Sequence, residues 1–156
     1  MAELKQRIKA DLTTAMKAKD ALTVSTLRMV LSALQYEEVS GKQARELTDE
    51  DVLRVLARES KKRGESAEAF DGAGRGELAD KERAEAQVID AYLPTQLSDA
   101  EVDDVVARAV AAVAETTGEQ PGQRQMGQVM KEAGALAAGR ADGKRLSAAV
   151  RAALAG

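Results

Sequence analysis

Apolar residues recur along this chain at intervals of three and four, and almost nowhere in the every-second-residue alternation of a half-buried strand. Val24, Leu27, Leu31 and Leu34 make one such row, and Val102, Val105, Val106, Ala109 and Val113 make another. That spacing puts side chains on one face of an α-helix and scatters them over both faces of a strand. The residue supply agrees. Aromatics are only 2% of the sequence and Trp is absent, whereas Ala, Leu and Val abound. Small aliphatic side chains suit close helix packing, and sheets draw on β-branched and aromatic residues. The chain reads as all-α.

The pattern divides into segments with recognisable ends. Leu4, Ile8, Leu12, Ala15 and Met16 share a face and predict a helix over 3–18. Asp20 caps a second helix over 21–39, which stops near Ser40–Gly41 with Gly41 in the usual C-terminal role. Thr48 followed by Asp49, Glu50 and Asp51 starts a third, since carboxylates in the first turn meet the positive end of the helix dipole. This helix runs to about Phe70, with Val52, Leu53, Leu56, Ala67 and Phe70 inward. Three glycines at 72, 74 and 76 mark a turn, and a fourth helix covers 77–92, with Ala86, Ile89 and Leu93 on one side.

Pro94 cannot continue a helix, and it disfavours helix at Leu93. Beyond it Ser98-x-x-Glu101 is a capping box that opens a helix to about Thr116. A loop over 117–122 leads to a helix over 123–137, with Met126, Val129, Met130 and Ala133 inward. Gly139 ends that helix. Asp142 caps the last one, whose Leu146, Val150 and Leu154 face a core. The expected architecture is an N-terminal helical domain of about four helices at 1–93, then a small three-helix tail domain at 94–156.

The chain has 156 residues and contains neither Cys nor His. Disulfides, thiolate and imidazole metal ligands, and the commonest nucleophile and neutral-pH base are therefore excluded. The serines sit in no Gly-x-Ser-x-Gly elbow, and the glycines of 72–76 lack phosphate-loop spacing. The carboxylates read as solvated faces and caps. No catalytic residue, metal site or cofactor is expected, and an independent enzyme is the least favoured reading. There is no apolar leader and no run of roughly 18 apolar residues. The expectation is a soluble, cytoplasmic protein with no membrane partner.

Net charge is −3, but it is unevenly spread. Residues 94–121 hold one basic and six acidic residues; residues 122–156 hold six basic and two acidic. Arg140, Lys144 and Arg145 cluster at the start of the last helix, where backbone N–H groups favour an anion. Gly127 lies inside a helix at a cost of about 1 kcal/mol against Ala, which suggests a close approach by another helix or a ligand. Lys131 projects near the same junction. This is either a phosphate-backbone site or an ordinary turn between surface helices, and the residues alone leave both open. A second basic stripe, Arg54, Arg58 and Lys61 with Lys62 and Arg63 beside it, reads first as an ion-paired surface. Its partners would be Glu59, Glu65 and Glu68, with Asp80, Glu82 and Glu85 from the fourth helix. Arg28 is expected half-buried and paired with an acid, with a ligand contact as the alternative.

Five motifs carry a resemblance. They are Thr26-Leu27-Arg28-Met29, Thr48-Asp49-Glu50-Asp51-Val52-Leu53, Tyr92-Leu93-Pro94-Thr95-Gln96-Leu97-Ser98, Met126-Gly127-Gln128-Val129-Met130-Lys131 and Gly139-Arg140-Ala141-Asp142-Gly143. In order and spacing the chain resembles the GatB/YqeY family. The resemblance implies a helical domain followed by a tail domain, as at the C-terminal end of the B subunit of the aspartyl/glutamyl-tRNA amidotransferase, where the tail contacts tRNA. It makes Gly127, Lys131, Gly139, Arg140 and Lys144 candidates for that contact, with Arg145 beside them. It implies a tRNA-associated accessory protein with a possible protein partner in tRNA aminoacylation or amidation. Carbon–nitrogen ligase activity would attach only by family transfer. The alternative is a helical protein–protein adaptor.

Overall fold

The computed structural model describes residues 2–155. Seven α-helices and one 3-10 turn are present among them, and no strand. The helices are α1 (Glu3–Lys17), α2 (Ala21–Val39), α3 (Asp49–Gly72), α4 (Gly76–Asp90), α5 (Asp99–Thr117), α6 (Met126–Ala137) and α7 (Gly143–Ala155), with the 3-10 turn at Gln123–Gln125. No described helix is long and apolar enough to cross a membrane. The chain divides into two compact units, Met1–Leu93 and Pro94–Gly156.

The first unit is built on Ile8 of α1, Leu27, Val30 and Leu34 of α2, Val52, Val55 and Leu56 of α3, and Ile89 of α4, all buried. Leu47 joins them from the connection between α2 and α3. The helix starts are chemically fixed. Asp20 accepts from the Thr23 N–H at 3.2 Å and from its hydroxyl at 2.7 Å. Thr48 and Asp51 form a reciprocal capping box, with Thr48 N–H donating to Asp51 at 3.0 Å and Asp51 N–H donating to the Thr48 hydroxyl at 3.2 Å. Asp51 also takes Arg45 at 2.8 Å and an ion pair from Arg54. Thr48 and Arg45 hold its carboxyl far below the usual carboxylate range.

Three expectations for this unit need correction. Gly41 does not cap α2: the positive-φ glycines are Gly74, Gly118 and Gly139, and α2 ends at Ser40 in ordinary helical geometry. Its hydroxyl donates to the Glu37 carbonyl at 3.1 Å, and the Arg45 N–H takes the Glu38 carbonyl at 2.9 Å. The loop's own backbone bonds thus replace a left-handed glycine. Met16 is exposed, because Ala15 takes the core-facing position one residue earlier. Arg28 is exposed and has no ion pair among the described residues, because the core side of α2 is filled by Thr26, Leu27 and Val30.

The second unit has a core of small aliphatics. Leu97, Val102, Val105, Val106, Ala109 and Val113 meet Val129, Ala133 and Ala137 of α6, and Leu146 and Val150 of α7. Phe, Tyr and Trp are absent from 94–156; Tyr36, Phe70 and Tyr92 all belong to the first unit. Ser98 and Glu101 form the capping box of α5, with Glu101 N–H donating to the Ser98 hydroxyl at 3.2 Å and Ser98 N–H donating to Glu101 at 3.0 Å. Gly118 ends α5 in the left-handed region at φ 79°.

Candidate RNA-facing surface

The α6–α7 corner is shaped by its own backbone chemistry. Val129, Ala133 and Ala137 recur every fourth residue and are buried, so α6 turns that side to the core. Gly127, Lys131 and Gly134, spaced by four and three, lie on a side that is exposed. Ala138 and Gly139 then adopt φ 50° and 79°, two left-handed residues in succession that end the helix and reverse the chain. The Arg140 N–H returns to the Ala137 carbonyl at 2.9 Å. The carboxylate of Asp142 accepts the Arg145 N–H at 2.7 Å and caps α7.

The six candidate residues fall into three groups. Arg140 and Arg145 are engaged within the unit. Arg140 donates its Nε to the Thr95 carbonyl at 2.8 Å, and Arg145 makes an ion pair with Asp99 at 3.0 Å. Asp142 already occupies the start of α7, so the anion site expected there is partly filled from within. Lys131 and Lys144 are exposed and make no ion pair among the described residues. Gly127 and Gly139 are backbone positions. A Cβ at Gly127 would meet nothing within 4 Å, so no other helix approaches it closely, contrary to the close-packing alternative. The same holds for Gly134, which the sequence reading did not single out. Gly139 is required by its φ.

Beside this corner lies an open groove of about 310 Å³. Leu97, Val105 and Leu136 give it an apolar floor, and Glu101, Asp104, Arg108 and Arg140 border it with charges of both signs. Among the described residues no three carboxylates come together in a group able to hold a metal ion.

The stripe on α3 separates as well. Arg54 is taken by Asp51, Arg58 by Glu37 at 3.2 Å, and Lys62 by Glu59 at 3.4 Å. Lys61 is exposed and has no ion pair among the described residues. Arg63 leaves the surface altogether. It is buried against Glu85 of α4 at 3.3 Å and Glu59 at 3.0 Å, and it donates to the Met29 sulfur at 3.6 Å. Of the expected carboxylate partners of the stripe, Glu59 and Glu85 serve. Glu37 and Asp51, which take Arg58 and Arg54, were not foreseen.

Together these features describe an all-helical protein of two small units with an exposed basic corner on the second. The chain belongs to the YqeY-like protein family, which it matches over residues 5–154. It is 38% identical over 91 residues to an uncharacterized protein of Schizosaccharomyces pombe, covering 58% of this chain and 72% of that one. It is 32% identical over 124 residues to altered inheritance of mitochondria protein 41, mitochondrial, of Meyerozyma guilliermondii, covering 78% and 64%. It is 31% identical over 129 residues to the protein of that name in Pyrenophora tritici-repentis, covering 80% and 65%. The chain thus spans about two thirds of the length of these relatives.

The cytoplasmic assignment is overturned by these relatives, several of which are mitochondrial by name. That assignment rested on the missing apolar leader and span. Import into an organelle uses a basic, Ser-rich amphipathic leader, so a missing apolar segment does not bear on it.

Proposed function

We propose that this protein is a tRNA-associated accessory protein, without catalysis of its own, whose second unit rests against the RNA phosphate backbone through the exposed side of α6 and the start of α7. The observation that carries the reading is the row Gly127, Lys131 and Gly134: two glycines with open space above them flank a lysine that no carboxylate of the described chain takes. Glycine in a helix is unfavourable and here serves no internal packing. Two positions without side chains let a sugar–phosphate backbone come close to the helix, and Lys131 then meets a phosphate. Lys144 adds a second cation. Arg140 and Arg145 shape the corner through Thr95 and Asp99 and contribute charge from the side. Gly139 allows the chain reversal. The surface carries no aromatic, so it suits recognition of shape and backbone rather than of base sequence. The resemblance to the tail of the amidotransferase B subunit supports the same partner.

The test is binding of purified tRNA at two salt concentrations by the wild type, by Lys131→Ala/Lys144→Ala, and by Gly127→Leu/Gly134→Leu. Affinity that falls steeply with salt, and that drops in both variants, supports the reading. Absence of binding at low salt overturns it.

A further inference from the structure

The two units join in sequence between Leu93 and Pro94, and the residues on either side of that bond are each fastened to their own unit. On the first unit, Tyr92 and Leu93 pack against the core that contains Ile8, Leu27 and Ile89. Their N–H groups bond back to the Ile89 and Asp90 carbonyls, both at 3.0 Å. The Tyr92 hydroxyl donates to Asp11 of α1, and the Arg7 guanidinium lies 5.0 Å from the centre of its ring.

The second unit takes hold at the next residue. The Pro94 ring lies against Gly139, 3.8 Å from where a Cβ on that glycine would stand. The Gln96 side chain donates back to the Pro94 carbonyl at 3.0 Å. Arg140 Nε donates to the Thr95 carbonyl at 2.8 Å, and Leu97, buried in the second core, donates its N–H to the Arg140 carbonyl at 2.7 Å. No residue is left over between the two sets of contacts.

What remains is covalent. The peptide bond is planar, and the proline ring fixes φ at its own residue. Rotation about the Leu93 Cα–C bond is then the one open freedom, and a residue before proline is confined there to the extended range. A linker of several glycines and serines would behave as a flexible coil instead.

We infer that the joint between the units is stiff: one restricted rotation at Leu93, with its flanks seated on both sides, limits their relative motion. A partner that touches both units then has no flexible joint to order on binding. This holds whether or not that partner is RNA.

Residual dipolar couplings of the full-length chain in a weakly aligning medium test the inference, because units that move together share one alignment and units that swing do not. Wild type is compared with Pro94→Gly and with a chain carrying two extra glycines between Leu93 and Pro94. Couplings within each unit show that both cores stay folded. The expected result is equal alignment of the two units in the wild type, and a loss of alignment in one unit in both variants. Unequal alignment in the wild type overturns the inference. Equal alignment in Pro94→Gly overturns it too, since the stiffness would not come from the proline. Equal alignment in the insertion variant does the same, because something other than the joint would then hold the units.

Discussion

Arg140 reaches back 45 residues to Thr95: its Nε donates to the Thr95 carbonyl at 2.8 Å, while the Leu97 N–H donates to the Arg140 carbonyl at 2.7 Å. The residue most suggestive of an RNA contact from its neighbours is thus also a clasp between the segment before α5 and the α6–α7 corner. Arg140→Ala is expected to destabilise the protein by about 1 kcal/mol, the net worth of a partly exposed hydrogen bond. Lys144→Ala, at an exposed side chain with no bond to lose, should change stability by less than about 0.5 kcal/mol. Urea unfolding followed at 222 nm measures both; equal losses would refute the division of roles.

The ion pair between Arg63 and Glu85 is buried on both sides and joins α3 to α4. Removing one partner strands a charge in the interior, so Arg63→Met is expected to cost about 3 kcal/mol. Replacing both, as Arg63→Met with Glu85→Leu, should recover most of that loss, because the desolvation of both charges is relieved together. Denaturation midpoints of the single and double variants check this. Equal destabilisation by both would mean that the pair itself is a net contributor.

Two glycines of the α6–α7 corner should respond oppositely to alanine. At Gly134, in mid-helix with open space at its Cβ position, alanine should stabilise by about 0.5–1 kcal/mol. At Gly139, with φ 79°, the same change should destabilise by about 1 kcal/mol or more through left-handed strain. Its Cβ would lie 3.8 Å from the Pro94 ring, an ordinary contact, so strain and not crowding decides the sign. Thermal melts of the two variants should move in opposite directions.

Asp51 sets an acid limit on the first unit. Its carboxyl titrates far below the usual range in the folded state because Thr48 and Arg45 bond to its charged form. A depressed folded pKa contributes stability in full above the unfolded value, about 3.9 for aspartate, and loses it as pH falls from there towards the folded value. Asp51→Asn should lower stability at pH 7 and flatten its decline between pH 5 and pH 2 (roughly the window of that linkage). Parallel pH profiles for wild type and variant would assign the acid transition to other carboxylates.

The helices were legible because their signals are local. Asp20, Thr48, Ser98 and Asp142 each sit within three residues of the N–H they accept, so spacing in sequence is spacing in space. The candidate corner was less so. Arg140, Lys144 and Arg145 cluster in sequence, but the partners that separate them, Thr95 and Asp99, lie 45 and 46 residues away. Arg63 shows another limit. Glu85 was among the carboxylates expected beside the stripe, but the burial of Arg63, four residues before the buried Ala67 on α3, was masked by its place next to Lys61 and Lys62 in sequence. The left-handed conformations of Lys19 and Ala138 escaped notice because neither residue type announces one.

The aromatic-free interior of the second unit makes that unit silent in the near ultraviolet. Light absorbed at 280 nm comes from Tyr36 and Tyr92 alone, so tyrosine emission follows the unfolding of residues up to 93. The far-ultraviolet signal counts the helices of both units. Any gap between the two denaturation curves therefore reads out, with no label, whether the units melt together or one after the other. A single tryptophan placed on α6 would give the silent unit a voice of its own.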